Sequence, residues 1–291
     1  MDQISWNKDQ HEFKVEKFYG AGVEKFADYH GGYLNFGLWS EGINNYLDAA
    51  ENLVAYMGNL LNLNKNSFLL DVACGMGPQD ILLHKKFSCR IHAVDVTWKH
   101  VEHTRRRIAQ AKVKKHVTAD HGTATALTFS DNTFTHVMSI EGPEHFNTRE
   151  KFFQEAYRVL KPGGVMGLAD YVIKRKPKSF FDKLVVKITA KLWHVPTENY
   201  DDAESYQAKL QSKGFTNVVF RESGASVIPG YYFEQKKPET RKALRQIRGW
   251  FVAYPGHLID IAVYQAFKRG LIEYVFVTAE KSSSSVNSNN K

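Results

Sequence analysis

The chain has 291 residues, 43% of them apolar, a formal net charge of +8 and two cysteines. That apolar share suffices for a full core, the charged and polar opening from Met1 to Lys17 argues against a secretory signal peptide, and no run of about 18 apolar residues offers a membrane span. Cys74 and Cys89 have neither CxxC nor Cys/His ligand spacing, which sets aside zinc and a disulfide scaffold and favours a reduced, cytoplasmic setting.

In chain order, an aromatic segment comes first, with Phe18-Tyr19 and then Tyr33-Leu34-Asn35-Phe36-Gly37-Leu38-Trp39, within an N-terminal cap over 1–45. Hydrophobic periodicity then predicts a helix over Tyr46–Leu61, a strand over Phe68–Ala73, a helix over Gln79–Lys86, a strand over Arg90–Val94, a helix over Lys99–Ala111 and a strand over Val117–Ala119. The second half reads as strand Thr135–Ile140, helix Arg149–Leu160, strand Val165–Val172, helix Ala203–Lys213, strand Thr216–Arg221 and strand Ile272–Ala279. Short turns and right-handed crossovers join these into a Rossmann-like, doubly wound, mostly parallel sheet with helical lid insertions, in one domain over 1–280. The tail 281–291 is polar, low in complexity and expected to be disordered.

The run Leu69-Leu70-Asp71-Val72-Ala73-Cys74-Gly75-Met76-Gly77-Pro78 breaks an apolar strand into two glycines and restarts as a helix. Backbone N–H groups there can approach a ligand that a Cβ would hold off. The next strand ends in Asp95, about 20 residues on, where an acid accepts from a ribose diol. The turn lacks the third glycine of a dinucleotide site, and Asp71 would repel a pyrophosphate but suits a cationic ligand.

At these residues the chain resembles the class I, seven-strand S-adenosylmethionine-dependent methyltransferases, in particular those acting on small natural products, sugars and sterols. The likeness continues through Ala124-Thr125-Ala126-Leu127-Thr128-Phe129, Phe134 to Glu141, His145, and Phe152 to Gly164 with its Arg-Val-Leu-Lys-Pro-Gly-Gly ending. The resemblance implies S-adenosyl-L-methionine as cofactor, held by Tyr33, Asp71, Ala73, Gly75, Gly77, Asp95, Val96, Thr123, Ala124 and Ser139. An aromatic of the N-terminal element, Tyr33 first and Tyr29 second, would cover the sulfonium. Thr123 stands where the family has an acid on the adenine amino group, so Asp120 close by becomes the substitute.

Methyl transfer to a hydroxyl requires a base, and the resemblance implies a pair of His145 with Asp170, Glu141 being a third candidate as base or hydrogen-bond partner. His145 reads equally as a cap on the following helix. His100 and His103 share a helix face without a completing carboxylate, so no metal site is expected. The expected reaction is methylation of a small, largely apolar acceptor. C- or N-methylation of a terpenoid, quinone or amine is the alternative, followed by a protein that binds the cofactor without catalysis.

The segments 174–200 and 230–270 are lid candidates, rich in aromatics over the strand ends, or else they pack on each other or at a homodimer interface. Between Lys174 and Lys191 seven basic residues meet one acid, and with Arg105-Arg106-Arg107 and Arg241 to Arg248 they alternate with apolar residues at helical spacing. That is the pattern of solvated helix faces and not of a nucleic-acid partner. Apolar residues opposite lysines over 177–193 also leave peripheral membrane contact open.

Overall fold

The structure, a computed structural model, describes residues 10–20 and 30–283. Its first half contains α1 (Gln10–Gly20), α2 (Tyr46–Leu60), β1 (Phe68–Val72), α3 (Pro78–Phe87), β2 (Arg90–Asp95), α4 (Trp98–Gln110) and β3 (Val117–His121). Then follow β4 (Phe134–Ile140), a 3₁₀ turn (Pro143–His145), α5 (Arg149–Val159) and β5 (Leu160–Ile173). The remainder is α6 (Phe180–Leu192), α7 (Ala203–Ser212), β6 (Phe215–Glu222), α8 (Gly224–Lys236), α9 (Pro238–Arg248), α10 (Trp250–Lys268) and β7 (Ile272–Lys281). Side-chain caps start several helices where the sequence places a cap: Asn45, Thr148, Ser179 and Asp202 accept from the N–H three residues on.

Seven strands form one sheet in the order β3-β2-β1-β4-β5-β7-β6. The pairs from β3 to β5 are parallel, and β7 enters antiparallel between β5 and β6. Successive side chains leave opposite faces of a strand. Leu69, Ile91, Met138, Ala169, Tyr171, Tyr274 and Phe276 therefore enter one core layer, while Leu70, Val72, Val137, Leu168, Val172, Val275 and Val277 enter the other. Both layers lie under helices, as a parallel sheet requires.

The order in which strands are added reverses between the parallel β1 and β4, which opens a crevice beyond their carboxyl ends. One boundary differs from the sequence reading: Lys161-Pro162-Gly163-Gly164 is an irregularity within β5 and not a turn before it. Leu160 already pairs with Phe134, the register shifts, and pairing resumes at His136 with Val165. Gly163, at φ +75°, absorbs the extra residues.

Candidate active site

The loop after β1 takes left-handed backbone at Ala73 (φ 65°), Gly75 (φ 57°) and Gly77 (φ 79°). Ala73 and Cys74 donate their N–H groups to the Val94 carbonyl at 2.8 and 3.1 Å, tying the loop to β2. A Cβ on Gly77 would fall 2.5 Å from the Thr104 side chain, so α3 and α4 close on each other only over glycine. Asp95 accepts from the Gly75 N–H at 2.9 Å and the Thr97 N–H at 2.8 Å, with His100 Nδ1 at 3.3 Å. Burial would raise its pKa, but His100 and the two N–H groups outweigh burial and hold the carboxyl below its usual range.

Asp71 lies behind the loop. It accepts from Gln79 Nε2 at 2.7 Å and faces Asp80, whose pKa is raised by burial and by the charge of Asp71. Ser139 is fully buried at the end of β4. Neither its Oγ nor Asp71 Oδ1 has a hydrogen-bond partner among the described residues.

Farther along, Thr123 donates its hydroxyl to Glu12 of α1, and Thr125 does so at 3.3 Å. Asp120 does not stand in for the missing acid. Its carboxylate faces outward, bound to Arg105 at 2.9 Å and His92 at 2.9 Å, because alternation along β3 turns it away from the crevice. The carboxylate that reaches Thr123 is that of Glu12. No local signal marks it, since 111 residues separate it from Thr123.

A cavity of about 430 Å³ runs through this region. Ala73, Gly75, Asp95, Val96, Thr123 and Ala124 line it, as do Glu141 and His145, whereas Asp71, Gly77 and Ser139 stand behind the lining. Tyr33 is not on the wall. It is buried in the core beside Glu51, with its carbonyl accepting from Tyr46 Oη, and Leu34 and Phe36 face the cavity in its place. Tyr29 lies outside the described residues.

Asp170 is the larger correction. It does not pair with His145. Arg149 grips it through Nε and Nη2 at 2.9 and 2.8 Å, and Tyr206 Oη donates to it at 2.8 Å, all fully buried. Asp170 shares its face of β5 with Leu168 and Val172, the face under α5 and α7, and does not line the cavity.

The neighbour of His145 is Glu144, with Oε1 3.9 Å from Nε2. Both side chains are buried, both line the cavity, and neither the Glu144 oxygens nor His145 Nδ1 has a hydrogen-bond partner among the described residues. His145 Nε2 lies 2.8 Å from the Tyr19 hydroxyl of α1, and His11 donates to the His145 carbonyl at 2.8 Å. Burial, with cationic neighbours including Arg149, pushes the His145 pKa down to about 3. Glu141 (φ 52°) accepts at Oε1 from the Phe36 N–H and Tyr274 Oη, each at 2.9 Å, yet burial lifts its pKa to about 8. Aromatic walls complete this end: Phe36 stacks on Tyr231 at 3.9 Å, and Trp193 stands 5.7 Å from Phe36 and 5.8 Å from His145. Arg241 and His257, joined at 2.7 Å, line its far side.

Comparison with known proteins places this geometry. A family described as "Methyltransferase domain" matches residues 69–164. The erythromycin 3''-O-methyltransferase of Saccharopolyspora erythraea is 32% identical over 205 residues, which cover 67% of this chain and 67% of that protein. The chain belongs to the S-adenosylmethionine-dependent methyltransferases. This methyltransferase is also similar to the 27-O-demethylrifamycin SV methyltransferase of Amycolatopsis mediterranei, at 28% identity over 268 residues, 90% of this chain and 96% of that one. Its fold matches geranyl diphosphate C-methyltransferase from Streptomyces coelicolor A3(2), solved with Mg²⁺, geranyl-S-thiolodiphosphate and S-adenosyl-L-homocysteine. The TM-score is 0.75 at 14% identity, covering 95% of this chain and 100% of the other.

The residues present fit the methyltransferase cofactor. An ionised Asp95 and the backbone of Ala73 to Gly75 beside it, both on the cavity wall, suit a ribose and the chain it carries, while the buried Asp71 and Ser139 support that wall from behind.

Proposed function

We propose that this methyltransferase transfers the methyl group of S-adenosyl-L-methionine to a hydroxyl of a small, largely apolar metabolite, such as a natural product, terpenoid, lipid or sugar conjugate. The observation that carries the reading is His145 Nε2 at 2.8 Å from a hydroxyl, that of Tyr19, inside the cavity. An imidazole nitrogen that already meets an O–H there is placed to meet the acceptor's. When bound, the cofactor supplies an electrophilic methyl on sulfur, so the protein contributes alignment, dryness and a place for the proton.

His145, neutral because of its depressed pKa, takes the proton of the acceptor as the new C–O bond forms. A hydroxyl oxygen becomes strongly acidic once alkylated, so a weak base suffices. Glu144, 3.9 Å from Nε2 and without a hydrogen bond to the ring, does not fill the positioning place expected of Asp170. Glu141, protonated at neutral pH and fixed through Oε1, offers its other oxygen to the acceptor. Asp95 holds the ribose, the 73–75 backbone the methionine end, and the Ala124 N–H with Glu12 the base. Trp193 and Tyr231 bring the segments 174–200 and 230–270 over the acceptor as lids. The similarity to two O-methyltransferases of antibiotic scaffolds, erythromycin and rifamycin by their names, supports oxygen as the acceptor atom.

The test is a labelled-methyl assay against hydroxylated apolar acceptors, with the product identified by NMR. An O-methyl ether, absent with the deoxy acceptor, is expected; methyl on carbon or nitrogen contradicts the reading. The stacked Phe36 and Tyr231 favour one second reading, C-methylation, because aromatic faces stabilise a carbocation that needs no histidine base. For the adenine end, Glu12→Ala is expected to weaken S-adenosylhomocysteine binding roughly tenfold by calorimetry, the loss of one charge-assisted hydrogen bond. Unchanged affinity would remove Glu12 from the cofactor site.

A further inference from the structure

Helix α6 shows an apolar face that no described residue covers. Phe180 is 74% exposed, Phe181 65%, Leu184 41% and Ile188 39%. Three of these stand four residues apart and so form one stripe along the helix. Lys183, Lys187 and Lys191 repeat at the same spacing, three residues on from each, which sets a cationic stripe beside the apolar one. Lys178, just before the helix, extends it. All four lysines are exposed, and none enters an ion pair among the described residues. The single acid of the helix, Asp182, is turned inward onto Arg175 at 2.9 Å and Arg269 at 3.4 Å. Its charge does not oppose the lysines.

The other side of α6 is structural. Thr189 and Ala190 are buried, and with Val186 and Trp193 they line a second cavity of about 80 Å³ against Tyr171 and Ile272. Trp193 also reaches the large cavity. The helix thus packs one side on the smaller cavity, with Trp193 at its end reaching the large one, and carries bare phenylalanines on the other side.

We propose that α6 is an interfacial helix that lays Phe180, Phe181, Leu184 and Ile188 into the acyl boundary of an anionic bilayer, with its lysines on the headgroups. At 13 residues it lies in the surface and does not cross it; no helix among the described residues is long and apolar enough to cross a membrane. Charge complementarity selects this occupant over a second copy of the chain. In an antiparallel two-fold dimer through this face, each lysine stripe would meet its own copy.

The experiment is co-sedimentation of the full chain with vesicles of phosphatidylcholine containing about 30 mol% phosphatidylglycerol, against phosphatidylcholine alone. The protein is expected to pellet with the anionic vesicles only, and to be released as salt rises and shortens the Debye length. Phe180→Ser/Phe181→Ser, at exposed positions outside the site, should lower the bound fraction roughly tenfold while S-adenosylhomocysteine affinity stays the same. Lys183→Gln/Lys187→Gln/Lys191→Gln should abolish the preference for anionic lipid. Equal pelleting with both vesicle types, or binding that survives the phenylalanine substitutions, would overturn the proposal. So would sedimentation equilibrium showing a dimer that those substitutions dissociate in protein that ignores vesicles. None of these outcomes depends on which atom is methylated.

Discussion

His145→Ala lowers kcat/KM by about 10²–10⁴-fold and leaves S-adenosylhomocysteine binding within about twofold, because the imidazole serves the acceptor's proton and not the cofactor. His145→Gln, which keeps polarity and bulk but cannot take a proton, should be equally impaired. With the histidine pKa near 3, the ring is neutral over the working range. The wild-type kcat/KM is therefore flat between about pH 5 and pH 8 and falls below about pH 4. Stability follows the same group. Its folded pKa lies below the unfolded value of 6.5, so the unfolded chain binds more protons between the two, and this contribution is present above 6.5 and lost as pH falls toward about 3. A rate that instead climbs through pH 8 would make Glu141, whose pKa burial lifts to about 8, the base. Retention of activity within about twofold in His145→Ala would favour C-methylation.

Arg149→Ala destabilises the fold by about 3–5 kcal/mol, since it strands the Asp170 carboxylate in a core where Arg149 itself is 1% exposed. Besides its two bonds to Asp170, the guanidinium donates to the Tyr171 carbonyl at 2.9 Å, to the Asn199 carbonyl and to Asp201 Oδ2 at 3.4 Å, so five acceptor atoms lose a donor together. A fall in Tm of roughly 10 °C follows for a chain of this size. Asp170→Asn, which keeps the shape and the Tyr206 contact, should cost less. Asp170→Asn should leave the acid limb of the pH profile in place, whereas a catalytic Asp170 would shift it; Arg149→Ala also removes a cation that holds the His145 pKa down, so that variant is read by Tm. A Tm within about 2 °C of wild type in Arg149→Ala would contradict a structural role for the pair.

The strands and the glycine loop are legible in the sequence because their signals are local: apolar runs, punctuation by Gly75 and Gly77, and an acid closing β2. Asp170 shows where that legibility stops. Its position near the carboxyl end of β5 is readable, but alternation along Leu168, Asp170 and Val172 fixes a common face without saying which face holds the site. The packing of α5, which carries Arg149 into that layer, decides it. Tyr33 fails similarly: Tyr46 Oη donates to the carbonyls of Tyr33 and Asn35 and sets which aromatic of the segment turns inward, and Phe36 is the one that reaches Glu141 and Tyr231. Glu12 and Tyr19 enter from α1 by contacts spanning more than a hundred residues, which no periodicity announces. Glu144 is adjacent to a named candidate and is detectable only from its buried carboxyl, which has no hydrogen-bond partner among the described residues.

Calorimetric titration of the full chain with S-adenosylhomocysteine, repeated on Asp95→Ala, tests most directly whether the loop after β1 and the acid closing β2 form the cofactor site. One-to-one binding is expected in the wild type, weakened roughly 10- to 100-fold in the variant as the carboxylate's hydrogen bonds disappear. No heat in the wild type, or equal affinity in both proteins, would contradict it.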